Sequence, residues 1–371
     1  MNYIFRNSII GDFSFDLGLA SYSTTYGNDP NCLSCSTSHR PHPRKSSVYD
    51  IDSATMNDDN SVDSDTLLQR LTKIIHPDDL MLLGLRVFYS ERKLRFAKKK
   101  TNTTRFRKKF GADPLVCVLI WEDFQTTSIE AARVPEERLN AKYFLMALHH
   151  LRKYPTEDDR EGPWDVSAKT AREWVWFFLE KIQALKEKKI RWPTNWGPDT
   201  WIVTVDGTHC WINEPTHPDW SQDSEYYSHK FAKAGINYEL GIAIASSRLV
   251  WMNGPFKAGA NDAQIFRDHG LRDELTNIAK KGIGDRGYRG YNETMSTYNP
   301  HDSRNVKKFK SRALKRHENF NNMTKRFDCL DGRFRHGADR FQVCFEAVCV
   351  ICQYQLENGM PLYDVLIEDI M

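Results

Sequence analysis

No stretch of this 371-residue chain has the length and apolarity needed to cross a bilayer, and its first residues lack the layout of a secretory signal. Both absences point away from a membrane protein. Strong net charge is missing too: 52 Lys and Arg against 49 Asp and Glu leave +3, which by itself names no partner. A local absence says more. From Arg92 to Lys109 the chain reads RKLRFAKKKTNTTRFRKK, without one acid. Such a block is commonly a solvated face or flexible arm, and it is also the footprint of a phosphate-backbone contact or a nuclear-import signal. Of the eight cysteines, Cys117, Cys344, Cys349 and Cys352 sit in apolar surroundings, as small hydrophobes in a reducing compartment do. The expectation is an intracellular protein with reduced thiols.

What is present divides the chain in three. Residues 1–65 are rich in Ser, Thr, Asn and Asp with little periodicity, the composition of a disordered tail. Cys32, Cys35, His39 and His42 lie there. They are zinc-ligand types, but only three residues separate Cys35 from His39, too few for the helix a zinc finger places between its pairs. A polar tail is the better reading. Residues 66–196 are helical by pattern, with apolar residues at three- and four-residue spacing. The last helix begins after Ser167, a fitting N-cap, and carries Trp174, Phe177, Phe178, Ile182 and Leu185 as a stripe before Pro193 ends it. With Lys169 and Arg172 near its start, this stretch fits a DNA-binding helix-turn-helix, and it fits an ordinary helical bundle equally.

Residues 197–365 read as an α/β domain: strand-like runs at TWIVTV, YELGIAIAS and RLVWMNGPF, a helix over DAQIFRDHGLRDELTNIAKK, a short strand before GDRGY, then two closing helices. The first strand climbs to Asp206 and is expected to break at Gly207. Asp285 ends the fourth strand, and Glu318 lies on the helix spanning roughly 305–330. Carboxylates from two strand ends and one helix are what metal-assisted phosphoryl chemistry needs, since divalent ions take hard oxygen ligands. That order is expected of a ribonuclease-H-like core. Asp262, before a helix, competes with Asp285 for the second place; topology gives Asp285 the site and Asp262 an N-cap role. On the Glu318 helix, Phe309, Ala313, Phe320 and Phe327 share one face, with Glu318, Asn322 and Lys325 roughly opposite.

The segments VDGTHCW, YYSHKF, GANDAQIFRD, GDRGYRG and RHENFNNMTKRFDCL occur in one order over about Trp201 to Leu362. In this the chain resembles a PIF/Harbinger-type transposase of the DDE endonuclease superfamily. The resemblance implies a ribonuclease-H-like fold that cuts and rejoins double-stranded DNA with Mg²⁺ or Mn²⁺, as two ions, held by Asp206, Asp285 and Glu318. It implies a DNA-contacting lysine at Lys325, work in the nucleus, and a Myb-like accessory protein as partner. An arginine expected one turn before the glutamate is absent, Leu314 standing there between Arg312 and Arg316. Lys169, Arg172 and His209 are further candidate DNA contacts, although a strand histidine is more often a local hydrogen-bonding group, and His229 and Lys230 could equally edge a hairpin.

Two rivals differ in class. A haloacid-dehalogenase-like phosphatase also shows a strand ending in Asp-Gly-Thr, but its nucleophilic aspartate would fall on Thr204. A domesticated transposase that binds DNA or chromatin without cutting is the alternative that keeps the same fold.

Overall fold

In the computed structural model, which describes residues 75–213 and 224–366, small polar caps and prolines mark where the first helices begin. His76 caps α1 (Pro77–Arg86), whose first residue is a proline that loses nothing by lacking an N–H there. Next come α2 (Glu91–Arg95) and α3 (Lys99–Phe110), and then α4 (Pro114–Thr126), capped by Asp113 and again opened by proline. The acid-free basic block therefore forms the end of α2 and most of α3. Leu94, Phe106 and Phe110 are buried, while most of its lysines and arginines stay in solvent.

The helical part continues with α5 (Ala141–Lys153), α6 (Glu157–Trp164), α7 (Ala168–Ala184) and α8 (Lys186–Lys189). Ser167 does cap α7, its hydroxyl accepting from the N–H of Thr170. Val175, Phe178, Leu179 and Ile182 are buried on the side of α7 that packs on α5. No helix among the described residues is long and apolar enough to cross a membrane. The tail with Cys32, Cys35, His39 and His42 lies outside the described residues.

The sheet follows: β1 (Trp201–Trp211), β2 (Tyr227–Ser228), β3 (Lys233–Ala243), β4 (Leu249–Lys257), then helices α9 (Asp262–Asp268) and α10 (Leu271–Asn277), β5 (Lys281–Ile283) and β6 (Met295–Ser296). β1 pairs antiparallel with β3 and parallel with β5; β3 pairs antiparallel with β2 and β4, and β5 parallel with β6. Three helices close the chain, α11 (Arg304–Thr324), α12 (Asp328–Asp331) and α13 (Ala338–Glu357). Three expectations need correcting. β1 does not break at Gly207 but runs on to Trp211, because β3 keeps pairing with it. The helix after β4 is two helices, since Gly270 turns into the left-handed region at φ 100°. The helix bearing Glu318 stops at Thr324, with α12 separate from it.

β1 is pleated, so alternate side chains face opposite sides. Val203 and Val205 pack with Phe266, Leu271 and Leu275 of α9 and α10. Thr204 and Thr208 meet His317 and Asn321 of α11 on the other side. α13 is buried around nearly its whole circumference, packed on α4, α7, α8 and α11 and, through Phe345 stacked on Tyr238, on β3. Glu346 shows how firmly: it accepts from Gln183 and Lys186 at 2.8 and 2.6 Å, and from Tyr238 of β3 at 3.3 Å. The described residues form one compact unit. Cys117, Cys344, Cys349 and Cys352 are buried free thiols in this core.

Candidate active site

A cleft of about 510 Å³ opens where β1, β5 and α11 meet, and Asp206, Asp285 and Glu318 all line it, along with Tyr298, Lys315 and His317. Each carboxylate arrives by a different local device. Asp206 sits mid-strand on the α11 side of β1, and the amide of Asn321 donates to its Oδ2 at 3.0 Å. Asn321 in turn accepts from Thr208 at 3.0 Å, so one side chain fixes two positions on β1. Asp285 follows β5 by two residues, where Gly284 ends the strand, and its Oδ1 accepts from the N–H of Gly287 at 2.7 Å. Glu318 is exposed on α11, three residues before Asn321 and so on nearly the same helix face. Asn321 was not among the sequence candidates, which named its neighbour Asn322. The three-residue step from Glu318 is the signal that would have found it.

Asp262 is not the N-cap of α9. Asn261 is, accepting from the N–H of Gln264 at 2.8 Å. Asp262 is the first helical residue, and its carboxylate lies against Gly207 so closely that a Cβ on that glycine would collide with Oδ1. This explains why a glycine stands in the middle of a strand. Asp262 is absent from the cleft lining because it approaches β1 from the α9 side.

Charge accounts for the electrostatics. Burial first, and then the neighbouring carboxylates of Asp262 and Asp285, push the Asp206 carboxyl up to about 7, against the opposing pull of the Gly207 N–H and Lys230. Burial and Asp285 raise Asp262 likewise. Behind them, Glu239 on β3 is raised to about 8, chiefly by burial. None of Asp206, Asp262, Asp285 and Glu318 makes an ion pair among the described residues. Lys230 offsets only part of this crowding, and carboxylates are the hard oxygen donors that divalent ions take. No three His, Cys, Asp or Glu side chains among the described residues are gathered closely enough to hold a metal as they stand.

The remaining candidates fall elsewhere. His209 bonds Asn237 at 3.1 Å and stacks on Phe231, a local role, with burial lowering its pKa. Lys325 is exposed at the end of α11, outside the cleft lining, and its charge is felt by His209. Lys169 is exposed at the start of α7, whereas Arg172 pairs with Glu157 of α6 at 3.0 Å. Arg316 turns away from the cleft and is fully buried. It donates to the carbonyls of Ala243 and Ile244 at 3.0 and 2.9 Å and to Ser247. Lys230, in the turn between β2 and β3, is the cation that both Asp206 and Asp262 feel.

No curated protein and no solved structure matches this chain. A family model does: over residues 205–353, the stretch that holds Asp206, Asp285 and Glu318, the chain is similar to the DDE superfamily endonuclease.

Proposed function

We propose that this chain is a metal-dependent DNA endonuclease and strand transferase of Harbinger transposase type, built on a ribonuclease-H-like core, with Asp206, Asp285 and Glu318 as its catalytic carboxylates. The observation that carries the proposal is the convergence of those three residues on one cleft. The sheet supports it: four antiparallel strands, then a helical crossover to two strands parallel to β1, an arrangement that puts Asp206 beside the C-terminal end of β5. The match to the DDE superfamily endonuclease over residues 205–353 supports it as well.

Mg²⁺ or Mn²⁺, as two ions held by Asp206, Asp285 and Glu318, would supply Lewis acidity toward the phosphodiester oxygens. The protein's own groups do the rest. Asn321 holds Asp206 through one carboxylate oxygen. The Gly287 N–H holds Asp285. Lys315, exposed at the cleft, faces incoming phosphate. The bond change is a displacement at phosphorus, in which an oxygen of water or of a DNA 3′-hydroxyl forms one P–O bond while the bridging P–O bond breaks. The basic faces of α2 and α3, Lys169 at the start of α7, and Lys325 hold duplex DNA by its backbone. In this reading the protein acts in the nucleus, with a Myb-like accessory protein for import and end recognition.

A second reading has one observation in its favour: no preformed three-ligand group exists among the described residues. That suits a domesticated transposase which binds DNA without cutting. Nicking of supercoiled plasmid in Mg²⁺ and Mn²⁺ separates the two. The expected outcome is metal-dependent nicking that Asp206→Ala, Asp285→Ala and Glu318→Ala each reduce by about 10³-fold or more, with folding intact. Binding without nicking in either metal favours the second reading.

A further inference from the structure

The α9 side of β1 holds a set of polar groups that the cleft does not use. Gly207 and Glu239 are register partners on β1 and β3, so they face the same side of the sheet. Asp262 lies over Gly207 on that side. Its carboxylate has been released from capping by Asn261 and makes no hydrogen bond or ion pair among the described residues. Glu239 is only 1% exposed, with Oε2 accepting from Trp251 at 3.0 Å and Oε1 buried without a partner. Tyr288, also 1% exposed, has a buried hydroxyl with no partner, within electrostatic reach of Glu239, Asp262, Asp206 and Asp285. Buried polar atoms are nearly always satisfied. Two orphans around an unpaired carboxylate mark a place where something polar or charged belongs.

We propose that Asp262 is a fourth carboxylate of the site, reaching past Gly207 to share a divalent cation with Asp206. Glu239 and Tyr288 back it as positioning residues. The missing Cβ of Gly207 is the opening that lets a residue from the α9 side of the sheet meet Asp206 on the α11 side. The proposal rests on the metal-dependent reading above and adds to it: the cation site is then built from both faces of the sheet.

The test is Mn²⁺ binding by the full chain without DNA, followed by electron paramagnetic resonance of free Mn²⁺ and by the Mn²⁺-induced rise in melting temperature. Asp262→Asn keeps the size of the side chain and removes its charge. It should weaken Mn²⁺ at least about tenfold and shrink the thermal shift, while the melting temperature in metal-free buffer stays equal to wild type or rises. Gly207→Ala, which displaces the Asp262 carboxylate without altering it, should weaken Mn²⁺ in the same direction. If Asp262→Asn binds Mn²⁺ like wild type while Asp206→Asn and Glu318→Gln do not, the fourth-ligand proposal is overturned and the metal-dependent reading stands. A fall in metal-free melting temperature with Asp262→Asn would give Asp262 a packing role and overturn the proposal as well. Absence of Mn²⁺ binding by the wild type would overturn both.

Discussion

Glu239 is the residue whose chemistry is least ordinary. Buried to 1% exposure with one oxygen unpartnered, it keeps its proton up to about pH 8 in the folded chain, whereas an unfolded glutamate releases it near pH ~4.3. The folded state therefore binds more protons between those values. The stability this group contributes is full in acid and drains away as pH rises through about 8. Glu239→Gln, which cannot ionise, should flatten that slope and gain on wild type by on the order of a few kcal/mol above pH 8. Urea unfolding of both proteins at pH 6 and pH 9 is the check, and parallel slopes would refute it. Nothing in YELGIAIAS marks this glutamate as buried beside the site. Its place follows from register, because only the pairing of β3 with β1 sets Glu239 opposite Gly207.

Helix α11 divides its labour by face. Glu318 and Asn321 turn toward the strand ends, while Phe309, Ala313, Phe320 and Arg316 turn inward. A helix-period pattern assigns the phenylalanines to the core without help. It cannot assign Arg316, because an arginine between two faces goes wherever carbonyls are waiting. Those carbonyls belong to Ala243 and Ile244 at the end of β3, so the arginine pins the helix to the turn between β3 and β4. Burial has lowered its pKa to about 10. Arg316→Ala should cost on the order of 3 kcal/mol, because buried acceptors lose their donor. In a thermal melt this amounts to roughly 5 °C. A loss below about 1 kcal/mol in denaturant titration would show that water replaces the guanidinium.

For the molecule as a whole, α13 decides how the parts hold together. It is buried on nearly every side, with helices of the N-terminal half on one flank and β3 on another. Glu346 ties all three together. A fragment spanning 197–366 would expose the flank of α13 that α7 and α8 cover. It is expected to be insoluble or molten, lacking dispersed amide resonances, and the chain from residue 60 onward should unfold in one transition. A fragment 197–366 with a cooperative melt of its own would contradict this.

Local pattern was enough for much of this protein. Runs of β-forming residues marked β1, β3, β4 and β5 but not the two-residue strands β2 and β6; three- and four-residue spacing marked the longer helices, and Ser167 announced its own cap, because each depends only on neighbours along the chain. Asp206, Asp285 and Glu318 were legible as candidate carboxylates and they line one cleft, although Asp206 lies in mid-strand and Glu318 inside its helix. Residues that act across the sheet were not legible in this way. That β1 continues through Gly207, that Asp262 is freed from capping to lie over it, and that Asn321, Glu239 and Tyr288 surround the carboxylates all depend on which strand pairs with which and in what register. A one-residue slip of β1 would carry Asp206 to the opposite face. Sequence names the charges; the packing of α9 and α11 on opposite faces of β1 sets which of them meet.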